Sequence, residues 1–222
     1  MTQLSAGEHA YRQLRSALLA GVYAPRQRLI EADIVADLGI NRLGIREALA
    51  RLEHDGLVER RANRGATVKV LSLAEALEVL QARGALEGLA ARHAAANATA
   101  DDVESLRALL AELDAAFELT DIPAFSAAQA RLHHQLLATS RLDTVGRLIE
   151  TLSAQSAQTR LRTILVAGRL RASLEEHRAI VEAVSAGDPD AAELAVRRHL
   201  DNVMQATRRS FAAETPARQT TS

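Results

Sequence analysis

The segment from Leu19 to Val70, LAGVYAPRQRLIEADIVADLGINRLGIREALARLEHDGLVERRANRGATVKV, constrains the fold more than any other part of this 222-residue chain. Ile34, Val35 and Leu38 recur at helical spacing, and the pattern stops at Gly39. Asn41 then offers an N-cap side chain, and Ile45, Ala48, Leu49 and Leu52 share one face of a second helix that ends at Gly56. Two short helices joined by a glycine-containing turn of about 3–4 residues make a helix-turn-helix, whose second helix suits the major groove of DNA. It falls at about residues 31–50. Beyond it, Leu57–Arg61 and Ala66–Val70 flank the turn Ala62-Asn63-Arg64-Gly65, a small β-hairpin with a basic tip. This order of elements specifies a winged helix-turn-helix over residues 1–71.

After Val70 the strand signals stop. Aromatic residues make up 2% of the chain and alanine dominates, so residues 72–212 should be helical throughout. Helix starts are marked by Ser72-x-x-Glu75, Thr99-x-x-Asp102, Ser173-x-x-Glu176 and Asp188-Pro189. Stops fall at Asn97, Ser140–Asp143 and Gly187. Six helices are expected near 73–96, 100–118, 122–139, 143–168, 171–186 and 189–212, joined by loops short enough to pack neighbours antiparallel in an all-α bundle. The fold class is therefore mainly α, in two domains. Residues 213–222, AETPARQTTS, are polar and aperiodic and read as a disordered tail.

Net charge is only −1, which argues against a nucleic-acid partner until the chain is divided. Residues 1–70 carry 11 basic against 8 acidic side chains, and the remainder carries 16 against 20. A basic head on an acidic body suits a small DNA-binding module whose body is repelled by phosphate. The chain has no cysteine, which excludes disulfides and thiolate chemistry and is compatible with a reducing cytoplasm. Ser5-x-x-Glu8 opens an ordinary amphipathic helix rather than a signal peptide. No apolar run approaches the ~20 residues that span a bilayer, so a cytoplasmic protein without a membrane partner is expected.

The head resembles the N-terminal domain of the GntR family of bacterial transcription regulators. The matching residues are Gly21, Pro25, Leu29, Glu31, Ala36, Leu38, Gly39, Arg42, Arg46, Glu47, Ala48, Leu49, Leu52, Gly56, Leu57, Val58, Arg64 and Gly65. Arg26, Asn41, Leu43 and Gly44 depart from that family's usual glycine, serine, threonine and proline. The last three open the recognition helix, so the departures bear on the operator sequence and leave the fold untouched.

The first turn of that helix points into the groove, which makes Asn41, Arg42, Leu43, Gly44 and Arg46 the candidates for DNA contact. An arginine fork bonds guanine O6 and N7 together and discriminates by about 1–3 kcal/mol. By resemblance, Arg42 and Arg46 occupy base-contacting positions; the alternative is solvated ion pairs, such as Arg46 with Glu47 or Glu31. Asn41 is equally explained as an N-cap alone. Leu43 suits a thymine methyl group, and Gly44 a close backbone approach to phosphate. Arg64 at the wing tip should meet phosphate or the minor groove, with Gly65 supplying positive φ. Arg60, Arg61 and Lys69 suit general phosphate attraction.

Three pieces of the body, Arg83-x-x-Leu86-Glu87, Leu132-His133-x-x-Leu136-x-x-x-Ser140 and Glu176-His177-x-x-Ile180, followed by Gly187-Asp188 and Arg198-His199-Leu200, resemble the FCD-type effector domain of the FadR-like branch of the same family. His177 lies ten residues before Gly187 and His199 ten after Pro189. A helical hairpin at that turn sets both imidazoles about 15 Å from it, level with each other. His133 and Gln129 are four apart, on one face of another helix. Three histidines and one amide oxygen converging inside a bundle suit a divalent transition metal (Zn, Ni, Mn or Fe) with positions left open. In the resembling branch the Gln129 position is usually Asp, and the neutral amide leaves more metal charge uncompensated. Arg83 is either the counter-charge for an effector carboxylate or a structural ion pair.

Together these features imply a homodimeric regulator, more often a repressor, that binds a palindromic operator in double-stranded DNA and is switched by a small organic acid. Two alternatives stand beside it. One is a metal-dependent enzyme, against which no H-E-x-x-H pairing supplies a general base. The other is an architectural DNA binder whose bundle only dimerises.

Overall fold

The computed structural model describes residues 5–60 and 65–214, apart from the side chains at 158, 161 and 214. Among these residues the chain forms ten helices and three short strands. It divides into two compact units, Met1–Ser72 with Ala154–Gln158, and Leu73–Ser153 with Thr159–Ser222.

In the first unit, α1 (Ala6–Leu19) starts where the Ser5 hydroxyl accepts from the Glu8 amide at 3.1 Å. Its Ala10, Leu14 and Leu18 lie one turn apart and are buried against Ile45, Ala48, Leu49 and Leu52 of α3 (Arg42–His54). Between them, α2 (Glu31–Leu38) ends at Gly39, whose φ of 64° lets the Gly39 amide bond the Val35 carbonyl and reverse the chain within three residues. The sheet has the order β1-β3-β2, all antiparallel, with β1 at Arg28–Leu29, β2 at Val58–Arg60 and β3 at Ala66–Val68. Val58 pairs with Val68 and Arg60 with Ala66, which is the expected hairpin. The third strand, β1, was not expected: two residues are too few to show any alternation. It buries Leu29 beneath the hairpin.

The second unit is all-helical: α4 (Leu73–Asn97), α5 (Ala100–Glu118), α6 (Ile122–Ser140), most of α7 (Asp143–Gln155) and of α8 (Ala157–Ile164), α9 (Arg169–Ser185) and α10 (Pro189–Glu214). Phe125, Leu106, Leu113, Leu132, Ile180 and Leu200 are fully buried in its core. Alanines at 90, 91, 94 and 95 give α4 a smooth buried face, and α10 packs along that helix. Local signals explain most of the boundaries. Thr99 and Asp102 form a reciprocal capping box, Asp121 caps α6, and Asp188 accepts from the Ala191 amide beside Pro189.

Three boundaries differ from expectation. The helix expected over 143–168 is interrupted at Ser156, without a glycine or proline to announce it, and closes at Ile164, so the body has seven helices rather than six. Ser173 does not cap a helix. The chain turns at Gly168, in the left-handed region, and α9 begins at Arg169, leaving Ser173 one turn inside and buried. Finally, α10 continues through Ala213 and Glu214; the rest of the expected tail, 215–222, lies outside the described residues.

Candidate functional site

In the first unit, the Asn41 carbonyl oxygen accepts from the Gly44 amide at 2.9 Å, so Asn41 serves as the N-cap of α3. Gly44 is buried, and a Cβ there would press on Ile40 and the Ala6 backbone. Its missing side chain thus admits the start of α1, and its amide is already engaged. Arg42 is exposed, as is Leu43 at 69%. Arg46 is exposed too, with its Nε donating to Glu31 Oε2 at 2.9 Å, one of the two ion pairs considered from sequence. Arg60 turns back onto Glu53. Gly65 has φ of 78°, and a Cβ would collide with the Leu29 carbonyl oxygen, which explains why only glycine fits where the wing meets β1. Arg64 and Arg61 lie outside the described residues.

In the second unit, α6, α9 and α10 bring His133, His177 and His199 together, with ring centroids 4.7–5.8 Å apart. One ring nitrogen of each lies within 4.8 Å of the others. His177 and His199 are almost wholly buried, and His133 is partly open. The outward nitrogen of each ring faces an acceptor. His177 Nδ1 lies 2.5 Å from the Ser173 carbonyl oxygen, His199 Nδ1 lies 2.6 Å from Glu176 Oε2, and His133 Nδ1 lies 3.6 Å from Glu87 Oε2. A carbonyl and a carboxylate only accept, so His177 Nδ1 and His199 Nδ1 carry the protons and their Nε2 lone pairs point inward, whereas His133 Nδ1 stands beyond hydrogen-bond reach of Glu87.

His133 Nε2 and His177 Nε2 stand 2.9 Å apart. A proton on one nitrogen makes this a hydrogen bond, and a shared metal ion would hold two lone pairs at a similar spacing. Nitrogens bound at about 2.1 Å in adjacent positions on one metal ion would be about 3 Å apart. The donor set therefore fits a divalent ion. Gln129 completes the inner ring, its amide nitrogen 3.5 Å from His177 Nε2; a half-turn of the amide presents the oxygen instead.

Burial, joined by the neighbouring imidazoles, holds His177 well below the usual histidine range. Burial lowers His199 as well, against the opposing pull of Glu176. Both are therefore neutral, as metal ligands must be. Burial would raise the Glu176 carboxyl, but His199 and Arg169 outweigh it and keep the group ionised. Arg169 makes a two-pronged contact with Glu176, at 3.0 and 2.8 Å, and Asn202 donates to Oε1 at 2.9 Å. Burial opposes ionisation of Glu87 too, and Arg83 with His133 overcomes it.

Arg83 is buried and donates to Glu87 Oε1 at 2.7 Å, so it forms an ion pair within its own helix. Sequence reasoning quoted Glu87 and Glu176 without assigning them a role and missed Arg169. The signal for Glu87 was its i,i+4 spacing from Arg83. Glu176 adjoins His177 in sequence yet serves His199, which only the α9–α10 packing shows.

A winged helix-turn-helix and a helical body built around three histidines define a bacterial transcription regulator. Residues 6–68 match the family described as bacterial regulatory proteins, gntR family, and residues 78–202 match the FCD domain. A probable D-xylose utilization operon transcriptional repressor of Paenarthrobacter nicotinovorans is 32% identical over 184 residues, 81% of this chain and 79% of that one. The transcriptional repressor RspR of Escherichia coli K12 is 26% identical over 201 residues, 90% and 88% of the two chains. The E. coli McbR/YncC structure shares the fold with a TM-score of 0.81 at 21% identity, covering 94% of this chain and all of that one. The chain belongs to the GntR family of transcription regulators and carries an FCD domain.

Proposed function

We propose that the protein is a ligand-responsive repressor that binds a palindromic operator as a homodimer in the cytoplasm and responds to a small organic acid at a metal centre in its FCD domain. On the DNA side, Arg42, Leu43 and Arg46 read bases, while Arg64 and Gly65 bring the wing to the backbone. The relatives named as repressors support the sign of the control. No helix among the described residues is long and apolar enough to cross a membrane.

One observation carries the effector side: three imidazoles with one ring nitrogen of each within 4.8 Å of the others, two of them held by acceptors at their outward Nδ1. His133, His177 and His199 would hold Zn, Ni, Mn or Fe, with Gln129 alongside. When bound, the metal supplies a positive centre for a carboxylate oxygen. Gln129 brings no charge, so an anionic ligand is favoured more strongly than beside an acidic residue. Glu176 and the Ser173 carbonyl keep His199 and His177 oriented, with Nδ1 protonated, and Glu87 lies beside His133. Arg83, being paired with Glu87, acts here through His133 orientation rather than as a direct anion contact. The acid acts as a switch to the extent that it binds the DNA-competent and DNA-incompetent states unequally.

Selection of duplexes from a random pool by the full-length protein tests this reading. A two-fold-symmetric site should emerge, and Arg42→Ala with Arg46→Ala should weaken it by about 1–3 kcal/mol per contact and half-site. Zinc with candidate carboxylates should change the affinity for that duplex, and neither alone should do so as fully. Failure to select any duplex, or an affinity indifferent to metal, acid and both arginines, refutes the proposal.

A further inference from the structure

We propose that Glu31 is a specificity-determining residue: by holding Arg46 through Nε it presents the two terminal amino groups of the guanidinium to a base edge, while its charge lowers the sequence-independent part of the affinity for any duplex. The inference rests on the reading of Arg46 as a base contact and names what makes that contact selective.

The geometry is specific. Glu31 is the first residue of α2, and Arg46 lies one turn into α3, so the pair spans the two helices of the motif. The bond uses Nε alone, at 2.9 Å, and the terminal amino groups have no partner among the described residues. Those two groups are the fork that meets guanine O6 and N7. The wing closes beside this point, since Gly65 packs on the backbone at Leu29, two residues before Glu31.

The carboxylate favours the N-terminus of α2, but the ion pair itself adds little. The Arg46 side chain is 58% exposed and that of Glu31 24%, and exposed pairs of this kind contribute little to folding. On a surface meant to face a polyanion, an acidic side chain also weakens binding to every duplex alike. Pairing neutralises Arg46 as a general phosphate anchor while leaving its directional donors in place. Such a pair sacrifices sequence-independent attraction and retains discrimination.

The test compares full-length wild type, Glu31→Ala, Arg46→Ala and the double variant. Each is titrated with the duplex that wild type selects from a random pool and with a scrambled duplex of equal length, across a salt series. The ratio of the two affinities cancels any loss of folded protein. Glu31→Ala should bind the scrambled duplex more tightly, steepen the salt dependence by about one counterion per half-site, and reduce the ratio about tenfold. The double variant should match Arg46→Ala in ratio, because Glu31 acts through Arg46. If Arg46→Ala lowers the ratio but Glu31→Ala lowers both affinities equally or neither, the role of Glu31 is refuted and base reading by Arg46 stands. If Arg46→Ala leaves the ratio intact, the base contact is refuted, and the role of Glu31 with it.

Discussion

Acidifying the metal-free protein should unfold the FCD domain before the head, because His177 is stable only as a neutral ring. Its imidazole is fully buried, faces two further imidazoles, and has its Nδ1 proton held by the Ser173 carbonyl. In the unfolded chain it takes up a proton near pH ~6.5, whereas in the folded protein burial holds it well below that value. The unfolded state thus binds more protons below that pH, and stability falls as pH falls. The slope is about 1.4 kcal/mol per pH unit for each ring kept neutral. Between about pH 7.5 and pH 5.5, His177 alone removes about 1.4 kcal/mol, and His199 adds up to a similar amount, reduced by its contact with Glu176. Glu176 and Glu87 are held below the usual range and stay ionised across this window, so they add no slope of their own. Urea unfolding of chelator-treated protein, followed by far-ultraviolet circular dichroism at both pH values, measures the loss. His177→Asn removes the slope that the imidazole supplies. A wild-type stability that is flat between the two pH values, or a slope that His177→Asn leaves unaltered, refutes the assignment of a buried neutral ring.

The remaining predictions concern the metal and the wing. Gln129→Asp should raise zinc affinity about tenfold, on the scale of single changes around a metal, and reduce the help given by added carboxylate. Thermal melts across a zinc series read this as a larger stabilisation, since binding to the folded state alone raises its stability; an equal shift in both proteins contradicts it. Gly65→Ala should destabilise the head by more than about 1 kcal/mol, because positive φ and the Leu29 carbonyl both oppose a Cβ. Tyr11 and Tyr23 are the protein's two tyrosines and no tryptophan is present, so tyrosine fluorescence in urea reports the head; an unchanged midpoint contradicts the close packing.

The helix-turn-helix was legible because its determinants are local. Gly39, the Asn41 cap and the Ile45–Leu52 stripe each act within a turn or two of the chain. The three-histidine cluster was legible for a related reason: a tight hairpin at Gly187–Pro189 makes distance along the chain a measure of height in the bundle. What surrounds those rings was not. Which carboxylate meets which Nδ1 depends on how α4, α6, α9 and α10 pack, and turning one helix by a single residue, about 100°, would carry its carboxylate out of reach. Ser173 illustrates the limit, since its spacing to Glu176 suggests a cap, whereas Gly168 turns the chain a turn earlier and places the Ser173 carbonyl against His177. The break at Ser156, the two-residue strand β1 and the choice of Glu31 as partner for Arg46 belong to the same class. The sequence by itself determined most of the helices and the heights of the three histidines, through caps, apolar periodicity and the Gly187–Pro189 turn. Only tertiary packing decided which polar groups meet across helices, because buried donors and acceptors take whatever partner the neighbouring helix brings within bonding distance.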